Sequence, residues 1–276
     1  MTREGRARRA LLWLAVHATA VAIGVMFLAP PAFIALTAVM TDRQALGGDL
    51  WPRDWRFGNF AEVFGGDMVR WTVNSTVYAG LSTLFMLVSS VPVAYALARF
   101  RFRGRGLALV VVVSAMMLPP QVTMVPLYIV WARLGLTGTL WPLIIPQLFG
   151  DAFSIFLLRQ FLVTIPREYA DAARVDGCGE LRTMLRVVLP MAKPALAAVA
   201  LFQFFYCWND YFRPLVYADP DHWTLAIGVA TFRAAHHVEW NLTMAATLLT
   251  ILPVLVVFFL AQRVFVQGVT LTGVKG

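Results

Sequence analysis

Charge is what this sequence lacks. Only 14% of its 276 residues are Asp, Glu, Lys or Arg, where a soluble domain carries about 25%. With 59% hydrophobic residues and a mean hydropathy of +0.70, that deficit excludes an ordinary water-soluble fold. Lysine is almost missing, with Lys193 and Lys275 alone. Neither lies in a Gly-x4-Gly-Lys-Ser/Thr phosphate loop, so the chain is expected to hydrolyse no ATP and to be no enzyme. Cysteine is limited to Cys178 and Cys207. The spans assigned below put one in a loop and the other roughly 18 Å deep in a helix, at about 1.5 Å rise per residue. A disulfide needs Cα atoms within about 7 Å, so two free thiols are predicted. His222, His236, His237 and Glu239 cluster in sequence, but their spacing fits no common metal site, and no metal is expected.

What the sequence has instead is long apolar runs. A helix crosses a bilayer with about 20 mainly apolar residues. No Asp, Glu, Lys or Arg occurs in 10–41, 72–98, 107–132 or 241–262. Two further runs are interrupted, 139–163 by Asp151 and Arg159, and 195–217 by Asp210 and Arg213. The expected fold is an all-α integral membrane protein with six transmembrane helices, at about 11–39, 72–98, 107–132, 139–163, 195–217 and 242–264. The first run has a basic start at Arg6, Arg8 and Arg9, but a signal-peptide core is about 7–15 residues long, so a retained helix is expected.

Basic residues sort by topology. With the N-terminus in the cytoplasm, the inside segments 1–9, 99–106, 159–194 and 263–276 hold 4, 4, 6 and 2 Lys/Arg, 16 of the 23. The net charge of +8 is therefore a membrane-orientation signal, and no nucleic-acid partner is expected. Both termini are placed in the cytoplasm, with a cytoplasmic N-terminus 1–9, a transmembrane domain 10–266 and a cytoplasmic tail 267–276. The basic turn from Arg99 to Arg105 reads as a topology anchor.

The segment 164–194 is no plain connector. Pro166 suits a first helical position, and Glu168 and Asp171 lie near that helix start, where the dipole favours negative charge. Gly177 and Gly179 supply freedom to end the helix. In a second short helix Leu181, Met184, Leu185 and Val188 fall at i, i+3, i+4 and i+7, and Pro190 and Pro194 break the run before the fifth span. The residues alone fit either an amphipathic pair on the membrane surface or a docking element.

Asp171-Ala172-Ala173, Gly177 and Val188-Leu189-Pro190 resemble the loop signature of bacterial ABC-importer permeases, with Asp where the family has Glu. The C-terminal run from Phe265 to Gly276 resembles the tail of maltose-type (carbohydrate-uptake) permeases. The resemblance implies a bacterial inner-membrane permease whose loop, through Glu168, Asp171, Ala172, Ala173, Asp176, Gly177, Leu189 and Pro190, docks on a cytoplasmic ATPase. It implies a second homologous permease, two copies of the ATPase carrying ATP and Mg, and an extracytoplasmic solute-binding protein. No cofactor is expected on this chain itself.

Ionisable groups at membrane depth face a cavity or a partner. Gln147, Asp151 and Ser154 are expected on one face of the fourth span, and Gln203, Tyr206 and Asp210 on one face of the fifth, with Trp208 and Asn209 beside them. Asp151, Gln203, Tyr206, Asn209 and Asp210 are the candidate solute path, since amides, acids and an aromatic face suit hydroxyl-rich ligands. Interhelical hydrogen bonding is the structural alternative. An ion- or proton-coupled secondary transporter using Asp151 is the alternative function, although no internal repeat supports it.

Overall fold

A computed structural model describes the backbone of residues 3–234 and 237–273 and the side chains of 11–232 and 239–262. The side chains of Arg6, Arg8, Arg9 and His237, the whole of His236, and the side chains of the 267–276 tail lie outside the described residues. The chain forms two compact units, Met1–Asp67 with Val229–Ile251, and Met68–Gly228 with Leu252–Gly276.

In the first unit a helix runs over Arg3–Thr37. Its apolar side chains, including Leu14, Val21 and Phe27, are exposed, which in water would be untenable and in lipid is the resting state. The helix ends in the buried run Ala38, Val39 and Met40. Buried Asn59 donates through Nδ2 to Ala38 O and Met40 O, both at 2.9 Å, so these carbonyls stay satisfied where the helix can no longer serve them. The stretch 42–71, between the first two expected spans, carries the short helices Asp42–Gly47 and Gly58–Gly65. Thr41 and Gln44 close a capping box on the first, as Thr-x-x-Gln spacing allows. Residues 233–234 pair antiparallel with 237–238.

The second unit is organised around the Met68–Arg99 helix, which packs on Ala152–Thr164 and on Lys193–Trp208. Its buried stripe includes Ser75, Tyr78, Ser82, Met86, Ser90 and Ala94, at i+3 and i+4 steps. Its outward face (Val73, Val77, Leu84, Val88) is exposed and more apolar than the stripe. Small and hydroxyl residues inside with aliphatics outside is the membrane pattern, where close approach rather than hydrophobicity joins helices.

Four helical stretches are long and apolar enough to cross a bilayer, Leu11–Thr37, Met68–Arg99, Trp141–Thr164 and Trp240–Gln262, and two bent pairs bring the number to six. The first bend corrects the expectation of one unbroken helix over 107–132, whereas the second lies between Pro190 and Pro194, where the run was expected to break. Arg105–Ala115 and Pro120–Arg133 meet at 92°, because Pro119 is extended at φ −66°, ψ 134° and a residue before proline is driven out of the α region. Glu180–Met191 and Lys193–Trp208 meet at 83° across buried Ala192. The fourth span is also broken: Ile145–Phe149 is a 3-10 turn, and Gly150 at φ +92° turns the chain before a new helix starts at Ala152. The fifth helix stops at Trp208 and resumes as Phe212–Tyr217.

Candidate functional site

The short helix Glu168–Val175 carries the loop signature. Pro166 precedes it by two residues rather than opening it. Its C-terminus is a Schellman cap. The Cys178 N–H donates to Ala173 O at 2.9 Å and the Gly177 N–H to Arg174 O at 3.0 Å, with Gly177 at φ +79°. That pair of bonds needs a left-handed residue at the Gly177 position, so glycine there follows from geometry. Gly179, expected to share the task, has φ −68° and needs no such freedom.

One side of this helix, Ala170 and Ala173, is buried; Ala170 belongs to the same apolar cluster as Met86, Ala94, Leu158 and Val188. The other side is open: Glu168, Asp171, Ala172 and Asp176 are exposed, and Val175 is 88% exposed. Of the two signature alanines, Ala173 seats the helix on its own chain and Ala172 faces away. Leu189 is half-buried and Pro190 exposed. The apolar face expected downstream is split. Met184 and Val188 are buried, while Leu181 and Leu185 are 67% and 52% exposed. The cause is a π turn over Met184–Val188, whose wider winding moves residues off the α-helical rows.

Arg174 ties the loop together, a role the sequence reading missed. Its Nη1 meets Asp171 Oδ1 at 2.6 Å and its Nε meets Glu180 Oε1 at 2.7 Å. The Glu180 carboxylate above all, with Asp171, raises the Arg174 guanidinium above its ordinary proton affinity. Tyr95 Oη donates to Glu180 Oε2 at 3.2 Å, joining the knot to the Met68–Arg99 helix. The three charged side chains are 41–63% exposed, and exposed pairs contribute about 0–1 kcal/mol. Arg174→Ala is therefore expected to leave the melting temperature within a few degrees but to raise amide exchange across 168–183. Unchanged exchange there would show that apolar seating alone holds the loop.

The polar residues expected to line a path are differently placed from that expectation. Asp151 is not deep in a continuous helix but the N-cap of Ala152–Thr164, its Oδ2 accepting from the Ser154 N–H at 2.7 Å. The Asp151 N–H donates to Ser90 Oγ at 3.0 Å. Gln147 lies in the 3-10 turn, its carbonyl accepting from Ser89 Oγ at 2.7 Å. The three residues therefore do not share one helical face. Nor do Gln203, Tyr206 and Asp210: Gln203 is 7% exposed and Tyr206 51%, and Asp210 falls in the gap between helices. Gln203 Nε2 donates to Cys207 Sγ at 3.3 Å, and both Cys178 and Cys207 are free thiols. Asn209 is exposed, its Nδ2 capping Phe205 O at 2.8 Å.

Asp210 anchors a second network. Its Oδ2 accepts from Tyr78 Oη at 2.7 Å and from Arg213 Nε at 2.6 Å. The Asp210 and Arg213 side chains are 10% and 20% exposed, and the Arg213 guanidinium lies 4.6 Å from the Tyr206 ring centre. From sequence alone Arg213 is only an interruption of the fifth span. Its i, i+3 spacing from Asp210 was the available signal, and Tyr78 left none.

Residues 90–271 match the family described as the inner membrane component of binding-protein-dependent transport systems. The chain is 35% identical over 263 residues to the sn-glycerol-3-phosphate transport system permease protein UgpE of Pectobacterium atrosepticum, covering 89% of this chain and 92% of that one. It is 33% identical over 228 residues to the arabinooligosaccharides transport system permease protein AraQ of Halalkalibacterium halodurans, covering 82% and 81%. Its fold is similar to that of a bacterial ABC transporter involved in the import of the acidic polysaccharide alginate, with a TM-score of 0.80 at 23% identity, covering 95% of this chain and 98% of that one. This bundle of bent apolar helices, with its short capped helix between the fourth and fifth spans, belongs to the family of binding-protein-dependent inner-membrane transport components, as a multi-pass permease subunit of an ABC importer.

Proposed function

We propose that the chain forms half of the translocation path for a carbohydrate or related polyol, driven by ATP hydrolysed with Mg on two copies of a cytoplasmic ATPase. A second, homologous permease completes the path and an extracytoplasmic binding protein delivers the solute. Both termini lie on the cytoplasmic side. The observation that carries this reading is the Glu168–Val175 helix, seated through Ala170 and Ala173 and presenting Asp171, Ala172 and Val175 outward. A short helix seated along one side and capped at its C-terminus, with a small residue at its open centre, suits a groove on a partner. Relatives named for arabinooligosaccharide and sn-glycerol-3-phosphate transport support the solute class. Within the path, Tyr206 and Asn209 are the exposed groups and meet the solute, Asn209 through its amide oxygen, since its Nδ2 caps Phe205 O. Asp151, Gln203 and Asp210 shape it through the bonds described above. Proton coupling through Asp151 is disfavoured by the commitment of its carboxylate to a helix cap.

Co-purification with the ATPase tests the docking surface. Ala172→Trp replaces an exposed side chain, so the permease is expected to fold with an unchanged melting temperature and to lose the ATPase. Gly177→Val forces a β-branched residue to positive φ, at about 1–2 kcal/mol, and is expected to lose the ATPase together with local loop order. Retention of the ATPase by Ala172→Trp sinks the docking role.

A further inference from the structure

Arg99 ends the Met68–Arg99 helix and is only 7% exposed. Its Nε and Nη2 are buried without a hydrogen-bond partner, and no ion pair reaches it among the described residues. The two carboxylates of the neighbouring loop are not available to it, because Arg174 holds Asp171 and Glu180 at 2.6 and 2.7 Å. Arg99 also feels the positive charges of Arg167 and Arg174, offset in part by Tyr95 and by the more distant Asp171 carboxylate, which makes no ion pair with it. Arg167 stands immediately before the Glu168–Val175 helix, exposed and with no partner among the described residues. A guanidinium this buried, with no carboxylate bonded to its Nε or Nη2, is unfavourable unless an anion completes the site.

The next residues say where that anion comes from. The turn after Arg99 alternates Phe100, Arg101, Phe102 and Arg103, all exposed, with Phe100 and Phe102 at 38% and 47%. Gly104 at φ +86° folds the turn back, and Arg105 donates to Ala98 O and Phe100 O, each at 3.5 Å. The turn sits where one apolar run ends and the next begins, at headgroup depth. Open aromatic rings interleaved with arginines suit that layer, whereas a protein partner's acidic surface would not call for exposed phenylalanines. We propose that Arg99 and Arg167, flanked by Arg101 and Arg103, bind the phosphate of an anionic phospholipid headgroup. The lipid then bridges the end of the Met68–Arg99 helix to the start of the Glu168–Val175 helix. This does not rest on the importer reading, only on the chain lying in a bilayer.

Native mass spectrometry of the full chain in mild detergent, titrated with phosphatidylglycerol or phosphatidylcholine, tests it. Phosphatidylglycerol is expected to be retained in preference. Arg99→Gln and Arg167→Gln are each expected to lower its apparent affinity about fivefold, the weight of one arginine at an anionic surface. Arg133→Gln, exposed at the end of another helix, is expected to change nothing. Arg167→Gln carries the test if Arg99→Gln fails to fold, since Arg167 is exposed. Equal retention of the two lipids, or unchanged affinity in both variants, overturns the proposal. Inorganic phosphate displacing phosphatidylglycerol one for one would identify a free-anion site instead. Variants that keep the lipid but lose the ATPase would make this an acidic-partner surface, and the lipid assignment would fall.

Discussion

Asp210→Ala is expected to lower the unfolding free energy of the detergent-solubilised chain by roughly 3 kcal/mol, the lower end of what breaking a buried ion pair costs. The substitution strands two groups. Tyr78, fully buried, loses the acceptor of its hydroxyl at 2.7 Å, and Arg213 loses the carboxylate on its Nε at 2.6 Å. The Arg213 cation stays against the Tyr206 ring, a contact that offsets part of the loss, which is why the upper end of the range is not expected. Asp210→Asn keeps an acceptor for Tyr78 and gives up only the charge, so its cost should be about half. Removing the cation as well, in Asp210→Ala/Arg213→Met, should recover much of the loss, because a buried pair exchanged for apolar side chains is often neutral. A double-mutant cycle read by denaturant unfolding checks all three values. If Asp210→Ala alone unfolds normally but weakens solute uptake, Asp210 is a solute contact and the network is incidental.

Much of the membrane architecture was legible because it rests on local composition. A run without charge reads directly as a span, and 72–98 lies wholly within Met68–Arg99. The loop signature was legible for a related reason: the Schellman cap depends on one glycine at a fixed distance from the helix, and Gly177 is there. What the sequence hid was of two kinds. Breaks inside apolar runs, at 116–119 and 145–151, change no hydropathy, although Pro119, Pro146 and Gly150 mark them in hindsight. Pairings between distant residues, such as Tyr78 with Asp210 or Tyr95 with Glu180, leave no periodicity. Assigning Gln147, Asp151 and Ser154 to one face assumed an unbroken helix, and the 3-10 turn removed that assumption. The π turn at Met184–Val188 defeated the i, i+3, i+4, i+7 reading in the same way.

Gly228→Ala is the second large effect, and its sign runs against helix propensity. Gly228 lies in the Leu225–Thr231 helix, where alanine would ordinarily gain about 0.5–1 kcal/mol. Here a Cβ would fall inside the indole of Trp71, itself only 6% exposed. The ring has little room to retreat, because the same face of the Met68–Arg99 helix is fastened to the incoming segment on both sides. Arg70 Nη1 meets Asp221 Oδ1 at 3.0 Å, Asn74 Nδ2 donates to Asp221 O and Trp223 O at 2.9 and 3.0 Å, and Ser75 Oγ accepts from the Leu225 N–H at 2.8 Å. Overpacking costs about 1–3 kcal/mol, and an overlap with ring atoms belongs at the top of that range, so the net change should be a destabilisation of about 2 kcal/mol. Thermal unfolding of Gly228→Ala, Trp71→Leu and the double variant checks it. Trp71→Leu alone should be destabilising through lost packing, and adding Gly228→Ala to it should cost little or nothing further, since leucine leaves space where the indole stood. A rise in melting temperature for Gly228→Ala would mean that the indole does not lie against Gly228 and that the 219–228 segment is held by its hydrogen bonds alone.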